Sequence, residues 1–207
     1  MNRSSLHRAT SRIVPAALAS ACAFAAFALA PREAHAAGYA GRFNLGVDGD
    51  LTALMTNNAP AYSAPQNNLS TLGTGFKVRF GDQFRLRYGV NLTPEVGYAF
   101  DHIFAANSGD PENMNRIFAG VRLGFGRYVV PSIYAHLGYG FRSVVSNNGQ
   151  SVGTIPDSNG LALDTGVAVD FHLNPWVSIG PHAEFVYMDV ANSPQWLAFG
   201  GHLDFTF

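Results

Sequence analysis

Histidine is the side chain whose chemistry would be most telling in this sequence, because imidazole serves both as a metal ligand and as a general base near neutral pH. Beyond the N-terminal segment the chain has five histidines: His102, His136, His172, His182 and His202. No two of them have the spacing of a zinc-binding pair such as His-x₃-His, and no cysteine lies near them. We therefore predict no metal site. We place His102 at the start of a loop and interpret the other four as hydrogen-bonded residues inside the fold.

A second group of residues, Asp101, His102, Ser108 and Asp110, contains the residue types of a hydrolytic site. Such catalysis needs a nucleophile, a base and an orienting group in fixed geometry. All but Asp101 fall in a predicted loop, and their order matches no motif, so we predict that the protein is not an enzyme. The glycine-rich segments 124–126 and 138–140 open no helix, so they indicate neither a phosphate-binding loop nor a cofactor.

The N-terminus has the parts of a secretory signal peptide. Arginines precede a long alanine-rich apolar run, and a small-x-small cleavage site, Ala34-His35-Ala36, follows it. The run is nearly long enough to be an uncleaved anchor, but alanine is only weakly hydrophobic. We predict that residues 1–36 are a cleaved signal peptide, that 37–207 form one domain, and that the only cysteine, Cys22, leaves with the signal.

The charge of the remaining chain is mildly negative. After the four arginines and one glutamate of the signal are removed, nine basic and thirteen acidic residues remain. A nucleic-acid-binding surface needs a concentration of positive charge. We therefore expect no nucleic-acid partner.

Apolar and polar residues alternate in eight stretches of the mature chain, and a period of two is the pattern of a β-strand. The last stretch is the clearest, because Leu203, Phe205 and Phe207 share one face while His202 and Asp204 share the other. The eight predicted strands are 42–53, 74–80, 84–101, 116–125, 133–142, 161–172, 177–188 and 196–207.

The predicted connections alternate in length. The short ones are 81–83, 126–132 and 173–176, and the longer ones are 54–73, 102–115, 143–160 and 189–195. An even number of strands, with short turns at one rim and longer loops at the other, is typical of a transmembrane β-barrel. Closure also removes the unpaired sheet edge that lipid cannot satisfy. The sequence therefore predicts an all-β fold, an eight-stranded antiparallel up-and-down transmembrane barrel with four extracellular loops.

Sixteen charged residues fall within the predicted strands, and all of them lie on the polar face. The interior of an eight-stranded barrel is filled by side chains, so we expect the eight basic and eight acidic residues to pair in a lumen network. The residues that we select as its members are Arg85, Arg87, Glu95, Arg122, Asp164, Asp170, Glu184 and Asp204.

Glycine and proline also occur within the predicted strands. Glycines on the polar face, including Gly46, Gly89 and Gly97, are expected to leave space for long arginines. Pro94 and Pro181 cannot donate a ladder hydrogen bond, and a closed sheet has no edge to accommodate them. We therefore predict a β-bulge at each proline.

The mature chain resembles the small eight-stranded outer-membrane barrels of the OmpX and OmpA-transmembrane type. The resemblance rests on segments 165–171 and 176–181, which a short turn joins, and on the closing Leu203-Asp204-Phe205-Thr206-Phe207. It implies a location in the outer membrane and contact with outer-membrane lipid and lipopolysaccharide. It also implies assembly by the barrel-assembly machinery, with Phe205 and Phe207 as the assembly signal.

These observations favour a structural or surface-interaction role for a barrel with a charge-plugged lumen. A narrow passive channel for small solutes is the first alternative, and a lipid-modifying enzyme is the second. The sequence does not identify an extracellular ligand. If one exists, the long polar loops are the expected place for it.

Overall fold

Eight antiparallel strands close into a barrel in which each strand pairs with its neighbours along the chain and the last pairs with the first. The structure is a computed structural model and describes residues 42–55, 69–105, 111–144, 159–190 and 193–207. The strands are β1 (Arg42–Leu54), β2 (Leu69–Arg85), β3 (Val90–Ala105), β4 (Glu112–Phe125), β5 (Val129–Val144), β6 (Asn159–Asn174), β7 (Val177–Met188) and β8 (Gln195–Thr206). In these ranges no helix has the length and apolarity to cross a membrane. The predicted fold class is confirmed.

Alternation sets the two faces of the wall, as strand β8 illustrates. His202 and Asp204 are buried in the lumen, whereas Phe199 and Leu203 are exposed on the outside. The same alternation leaves large apolar side chains exposed around the barrel: Phe76, Phe80, Ile117, Ile133, Leu137, Val167 and Phe171. A soluble protein would bury such residues, whereas a barrel in lipid turns them outward.

The barrel closes where β8 meets β1. The register pairs Leu45 with Phe205 and Val47 with Leu203, so apolar residues continue across the closing seam. The backbone N–H of Phe207 donates a hydrogen bond of 2.8 Å to the carbonyl oxygen of Phe43. The last residue of the sequence is therefore tied to the start of the first strand.

The first short turn lies further along the chain than the sequence indicated. Strand β2 continues through Gly81, Asp82 and Gln83, and the chain reverses at the 3-10 turn Arg87–Gly89. Tyr88 and Gly89 both have positive φ angles, 62° and 74°, which a tight reversal requires. The predicted turn at 81–83 is wrong because Gly81, Asp82 and Gln83 resemble a turn locally, while all three continue the ladder with β1. Asp82 thus lies within a strand. It is buried, although alternation would place it on the same outer face as the exposed Phe80.

The other two short turns are close to their predicted positions. Gly126 begins the β4–β5 turn with a φ of 126°, and β5 starts at Val129, earlier than predicted. In the β6–β7 turn the side-chain oxygen of Asn174 accepts hydrogen bonds of 2.8 Å and 2.9 Å from the N–H groups of Trp176 and Val177. This side-chain mimic of a turn explains why so short a connection suffices.

The strands also extend further towards the long-loop rim than the sequence predicted. His102 lies in β3 and Glu112 begins β4, although the sequence predicts a loop over 102–115. Their backbones pair across that ladder, Ile103 with Glu112 and His102 with Asn113. Polar residues near a strand end look like loop in the sequence, but the adjacent strand supplies their hydrogen bonds.

The two central prolines do not form bulges, so that prediction is wrong. Pro94 pairs in register with Val121 of β4, and Pro181 pairs in register with Gly201 of β8. On the other side of each proline the ladder omits two pairs and then resumes without a shift. Each proline therefore interrupts one ladder locally, and the register shifts lie elsewhere, at the ends of β2 and β6.

Candidate functional site

Charged side chains fill the middle of the barrel, and each comes from a buried alternate position of a strand. Arg79, on β2, is the most connected of them. Its guanidinium lies 3.1 Å from Asp48, 2.8 Å from Asp204 and 3.5 Å from Glu95. These contacts join strands β1, β2, β3 and β8, so one arginine links half of the wall through the interior.

A second centre lies around Arg116 on β4. Its guanidinium nitrogens are 3.1 Å from Asp101, 3.7 Å from Asp164 and 3.6 Å from Glu184. Glu184 also forms an ion pair with Lys77 and accepts a hydrogen bond of 3.2 Å from the hydroxyl of Tyr134. This centre joins β2, β3, β4, β5, β6 and β7.

Arg122 and two histidines connect and extend these centres. Arg122 lies 3.5 Å from Glu95 and 3.9 Å from Asp170, with its guanidinium 4.8 Å from the centre of the Tyr134 ring. His136 bonds Glu95 at 2.6 Å, and His202 bonds Asp170 at 2.7 Å. A buried charge is tolerated only when it is paired, and this continuous set of pairs satisfies that requirement.

The structure brings six of the eight selected network residues together. These are Glu95, Arg122, Asp164, Asp170, Glu184 and Asp204, all of them buried. Arg85 is exposed at the end of β2, so its selection is wrong. Arg87 lies in the turn after β2 and not in a strand, which follows from the displaced turn. The two most connected residues, Arg79 and Arg116, had the predicted parity but were not among those selected.

An apolar layer closes the lumen towards the long-loop rim, and the alternation pattern did not predict it. Its members are inward-facing or adjacent residues that form one buried cluster: Leu54, Ile103, Met114, Ala162, Val186, Met188, Val190, Trp196 and Ala198. Trp196, Ile103, Met114 and Met188 are completely shielded from solvent. The sequence did indicate the direction of the Trp196 side chain, since Trp196 lies on the same face of its strand as Ala198 and His202.

Inward glycines make room for bulky groups, and only some of those groups are arginines. A Cβ at Gly46 would overlap Arg79, as expected. A Cβ at Gly97 would overlap the ring of Phe118, and one at Gly166 would overlap Tyr134. Gly89 lies in a turn and does not belong to this set.

Three of the histidines expected inside the barrel are buried and bonded to carboxylates. They are His136 with Glu95, His182 with Asp50, and His202 with Asp170. His172 is half-buried near the end of β6. His102 bonds the side chain of Asn113 at 2.7 Å and does not open a loop.

One group of potential metal ligands does come together, although the spacing of these residues in the sequence did not predict it. Oxygen or nitrogen atoms of Asp170, His202 and Asp204 all lie within 4.8 Å of one another. Each carboxylate is also in contact with a cation, since Arg122 lies near Asp170 and Arg79 contacts Asp204. The protein thus balances the charge of this cluster itself, and the absence of a metal site stays a prediction.

The residues considered for hydrolysis do not form a site within the described chain. Asp101 and His102 are consecutive in β3 and therefore point to opposite sides of the wall. Asp101 faces the lumen and is held by Arg116. Ser108 and Asp110 lie outside the described residues.

No protein-family model matches the sequence. No curated protein matches it either. Solved structures do match, among them neisserial surface protein A (NspA), with 15% identity, a TM-score of 0.56, and coverage of 80% of this chain and 97% of that one. OprG from Pseudomonas aeruginosa matches with 9% identity and a TM-score of 0.51, covering 82% of this chain and 97% of that one.

A third similar structure is Ail, the attachment invasion locus protein of Yersinia pestis, with 14% identity and a TM-score of 0.50. The match covers 81% of this chain and 99% of Ail. At such low identity the likeness is one of fold. The closed order of eight strands, the apolar exterior and these matches together identify the chain as a small eight-stranded β-barrel of the outer-membrane type.

Proposed function

We propose that this protein is an integral outer-membrane barrel with a structural or surface-interaction role and a lumen that does not conduct. The observation that carries this proposal is the filled interior. The ion-pair network around Arg79 and Arg116 occupies the middle of the barrel, and the apolar layer around Trp196 lies beyond it. A solute would have to break both to pass.

Residues 1–36 then serve as the export signal, and the mature barrel is inserted by the assembly machinery into a membrane of lipid and lipopolysaccharide. Both chain ends face the periplasm, and the four connections on the opposite rim face the outside. Those connections fall mainly on residues 56–68, 106–110, 145–158 and 191–192, which lie outside the described residues. Any external partner would meet the protein there.

The narrow-channel alternative requires a continuous water path. An eight-stranded barrel has an interior that side chains can fill completely, and here the ion-pair network and the apolar layer occupy the middle of the barrel and its long-loop half. The enzyme alternative requires an assembled nucleophile and base, which the described residues do not provide. A surface-interaction role agrees with the name of a protein of similar fold, Ail, the attachment invasion locus protein.

Conductance in planar lipid bilayers tests the closed lumen. We expect the purified, inserted barrel to give little or no steady current. A large-pore porin in the same bilayer serves as the positive control for insertion and detection. A large and stable current through the barrel would replace this proposal with the channel alternative.

Surface labelling tests the orientation. Epitope tags inserted at Asn68 and Asn148 should bind antibody on intact cells, because both positions belong to connections on the long-loop rim. A tag placed after Tyr88, in the opposite rim, is the matched control and should be stained only after permeabilisation. The reverse pattern would show that the barrel is inverted.

A further inference from the structure

A groove crosses the outer surface of the barrel through five neighbouring strands. Its floor is a row of small or rigid outward residues. Gly49 on β1 pairs with Gly201 on β8, Gly201 pairs with Pro181 on β7, and Val169 on β6 pairs with Pro131 on β5, while Pro181 and Val169 line one depression. A Cβ added at Gly49 would meet nothing within 4 Å, and one at Gly201 would meet only a backbone oxygen at 3.7 Å. We call this row the transverse groove.

Bulkier rows border the transverse groove on both sides. The row towards the short-turn rim consists of Val47, Leu203, Ile179, Phe171 and Val129. The row towards the long-loop rim consists of Leu51, Phe199, Ala183, Val167 and Ile133. Around Pro131, Val169 and Pro181 the depression has a volume of about 400 Å³ and an almost wholly apolar lining. The groove is therefore an apolar trough on the lipid-facing side, with a row of side chains along each edge and no charged residue.

Aromatic rings lie at both ends of the transverse groove. Phe76, which pairs with Gly49, closes the β1 end, whereas Phe125 lines the β5 end beside Pro131. Adjacent strands lie about 4.8 Å apart, so the floor from β5 to β1 is about 19 Å long. Tilted at about 45° with the sheet, that length descends about 13 Å, close to half of a hydrocarbon core of about 30 Å. The groove thus has the dimensions of one acyl chain in one leaflet.

The two ends of the groove lie at different depths. Pro131 is close to the start of β5, at the short-turn rim, whereas Gly49 lies in the middle of β1. The groove therefore runs from the membrane boundary on the short-turn side towards the centre of the bilayer. A lipid of that leaflet would enter with its headgroup at the Pro131 end.

A cation lies at that end. Arg127 is exposed in the turn between β4 and β5, next to Phe125 and four residues before Pro131. Its guanidinium lies 5.5 Å from the centre of the exposed Tyr128 ring, an arrangement that holds the charge at the rim. Guanidinium binds phosphate oxygens in a bidentate manner, so the charge at the open end complements a phospholipid headgroup.

From this geometry we infer that the transverse groove is a binding site for a phospholipid of the short-turn-side leaflet, which is the periplasmic leaflet in the proposed orientation. One acyl chain lies along Gly49, Gly201 and Pro181, and Arg127 contacts the phosphate. The inference rests on the proposed membrane placement. It adds a specific lipid site to a surface that otherwise contacts lipid without preference.

Native mass spectrometry of the full mature barrel tests the site, with phosphatidylglycerol as the probe in maltoside detergent. We expect one phospholipid to be retained. Gly49→Leu combined with Gly201→Leu should lower its retention about tenfold, because the added side chains fill the floor. The control, Ala119→Leu, enlarges a small outward residue outside the groove and should retain the lipid.

The headgroup contact is tested separately with Arg127→Gln. This variant should lose most of its preference for phosphatidylglycerol over uncharged diacylglycerol, whereas Arg85→Gln, at the end of β2 on the same rim, should keep it. Equal retention by the wild type and the groove-filled variant would overturn the inference. A dimer that dissociates when the groove is filled would also overturn the inference, since a second copy of the chain would then occupy the groove.

Failure of the site and failure of the proposed membrane role give different results. Resistance of the cell-expressed barrel to carbonate extraction measures membrane integration. An integrated barrel that retains no phospholipid contradicts only the groove. A barrel that carbonate extracts contradicts the membrane role itself.

Discussion

The guanidinium of Arg116 lies 5.0 Å from the centre of the Trp196 ring, so the charged network and the apolar layer of the lumen are in direct contact. Trp196 is fully buried on β8, and Arg116 reaches it from β4 on the opposite wall. A cation over an indole face is favourable when both are desolvated. The two parts of the interior therefore form one plug, in which the ring seals the network on one side.

Replacing Trp196 should consequently weaken the barrel as well as the seal. We expect Trp196→Ala to lower the free energy of unfolding by about 3–5 kcal/mol, the usual cost of removing a large buried aromatic side chain. Urea titration in lipid vesicles, followed by electrophoretic mobility, measures it. Trp176→Ala is the control, because Trp176 is 62% exposed in a turn and its loss should change stability little.

Arg79 is the residue whose loss should cost most within the charged network. Arg79→Met keeps much of the volume but leaves Asp48 and Asp204 buried without their shared cation, and such uncompensated charge costs about 3–5 kcal/mol. The same urea titration measures the effect.

Arg85→Met is the control for charge removal, since Arg85 is an exposed residue of the same strand. If both variants unfold at the same urea concentration, the ion pairs of Arg79 do not stabilise the barrel. A double variant, Arg79→Met with Asp48→Asn, should recover part of the loss because it removes one of the unpaired charges.

Alternation predicted the wall of the barrel because a period of two is a local property that needs no partner strand. It assigned His202, Asp204 and Leu203 to their correct faces. It did not predict the turn at Arg87–Gly89, because Gly81 and Asp82 have turn-like composition and only the ladder with β1 shows that the strand continues.

The sequence could not predict which charged side chains pair with each other in the lumen, for a different reason. Arg79 of β2 meets Asp204 of β8, two strands away, and that meeting depends on the stagger of all eight strands around the axis. Sequence parity gives the direction of a side chain but not its height in the barrel. Trp196 had the right direction in the sequence, yet only the structure shows the apolar neighbours at its level.

The lipid-facing assignment predicts a strong contrast between two positions. Leu137 on β5 is 52% exposed on the outer face, so Leu137→Arg should destabilise the barrel in lipid by about 2–4 kcal/mol if it lies near mid-bilayer. Ala168→Ser, at a buried lumen position of β6, should be tolerated far better because its cross-strand neighbours, Ser132 and His182, are polar. Unfolding in vesicles distinguishes them, and equal effects would mean that the faces are wrongly assigned.

The final prediction concerns assembly, for which Phe205 and Phe207 are the proposed signal. Phe207 is exposed beyond the end of β8, and its N–H holds the carbonyl oxygen of Phe43 at the closing seam. Deleting Phe207 removes both the ring and that hydrogen bond. We expect the deletion to lower the amount of barrel in the outer membrane and to raise periplasmic degradation, with export unchanged because export depends on residues 1–36.

Two substitutions separate recognition of the ring from the stability of the seam. Phe207→Tyr keeps an aromatic ring suited to the membrane interface and should assemble normally. Phe207→Ala keeps the backbone N–H and its bond to Phe43 but removes the ring, so it should fail as the deletion does if the ring is recognised. Quantitative immunoblots of outer-membrane and periplasmic fractions give the result. If Phe207→Ala assembles while the deletion fails, the backbone bond at the closing seam matters and the aromatic signal does not. If the deletion assembles normally, neither of them is needed.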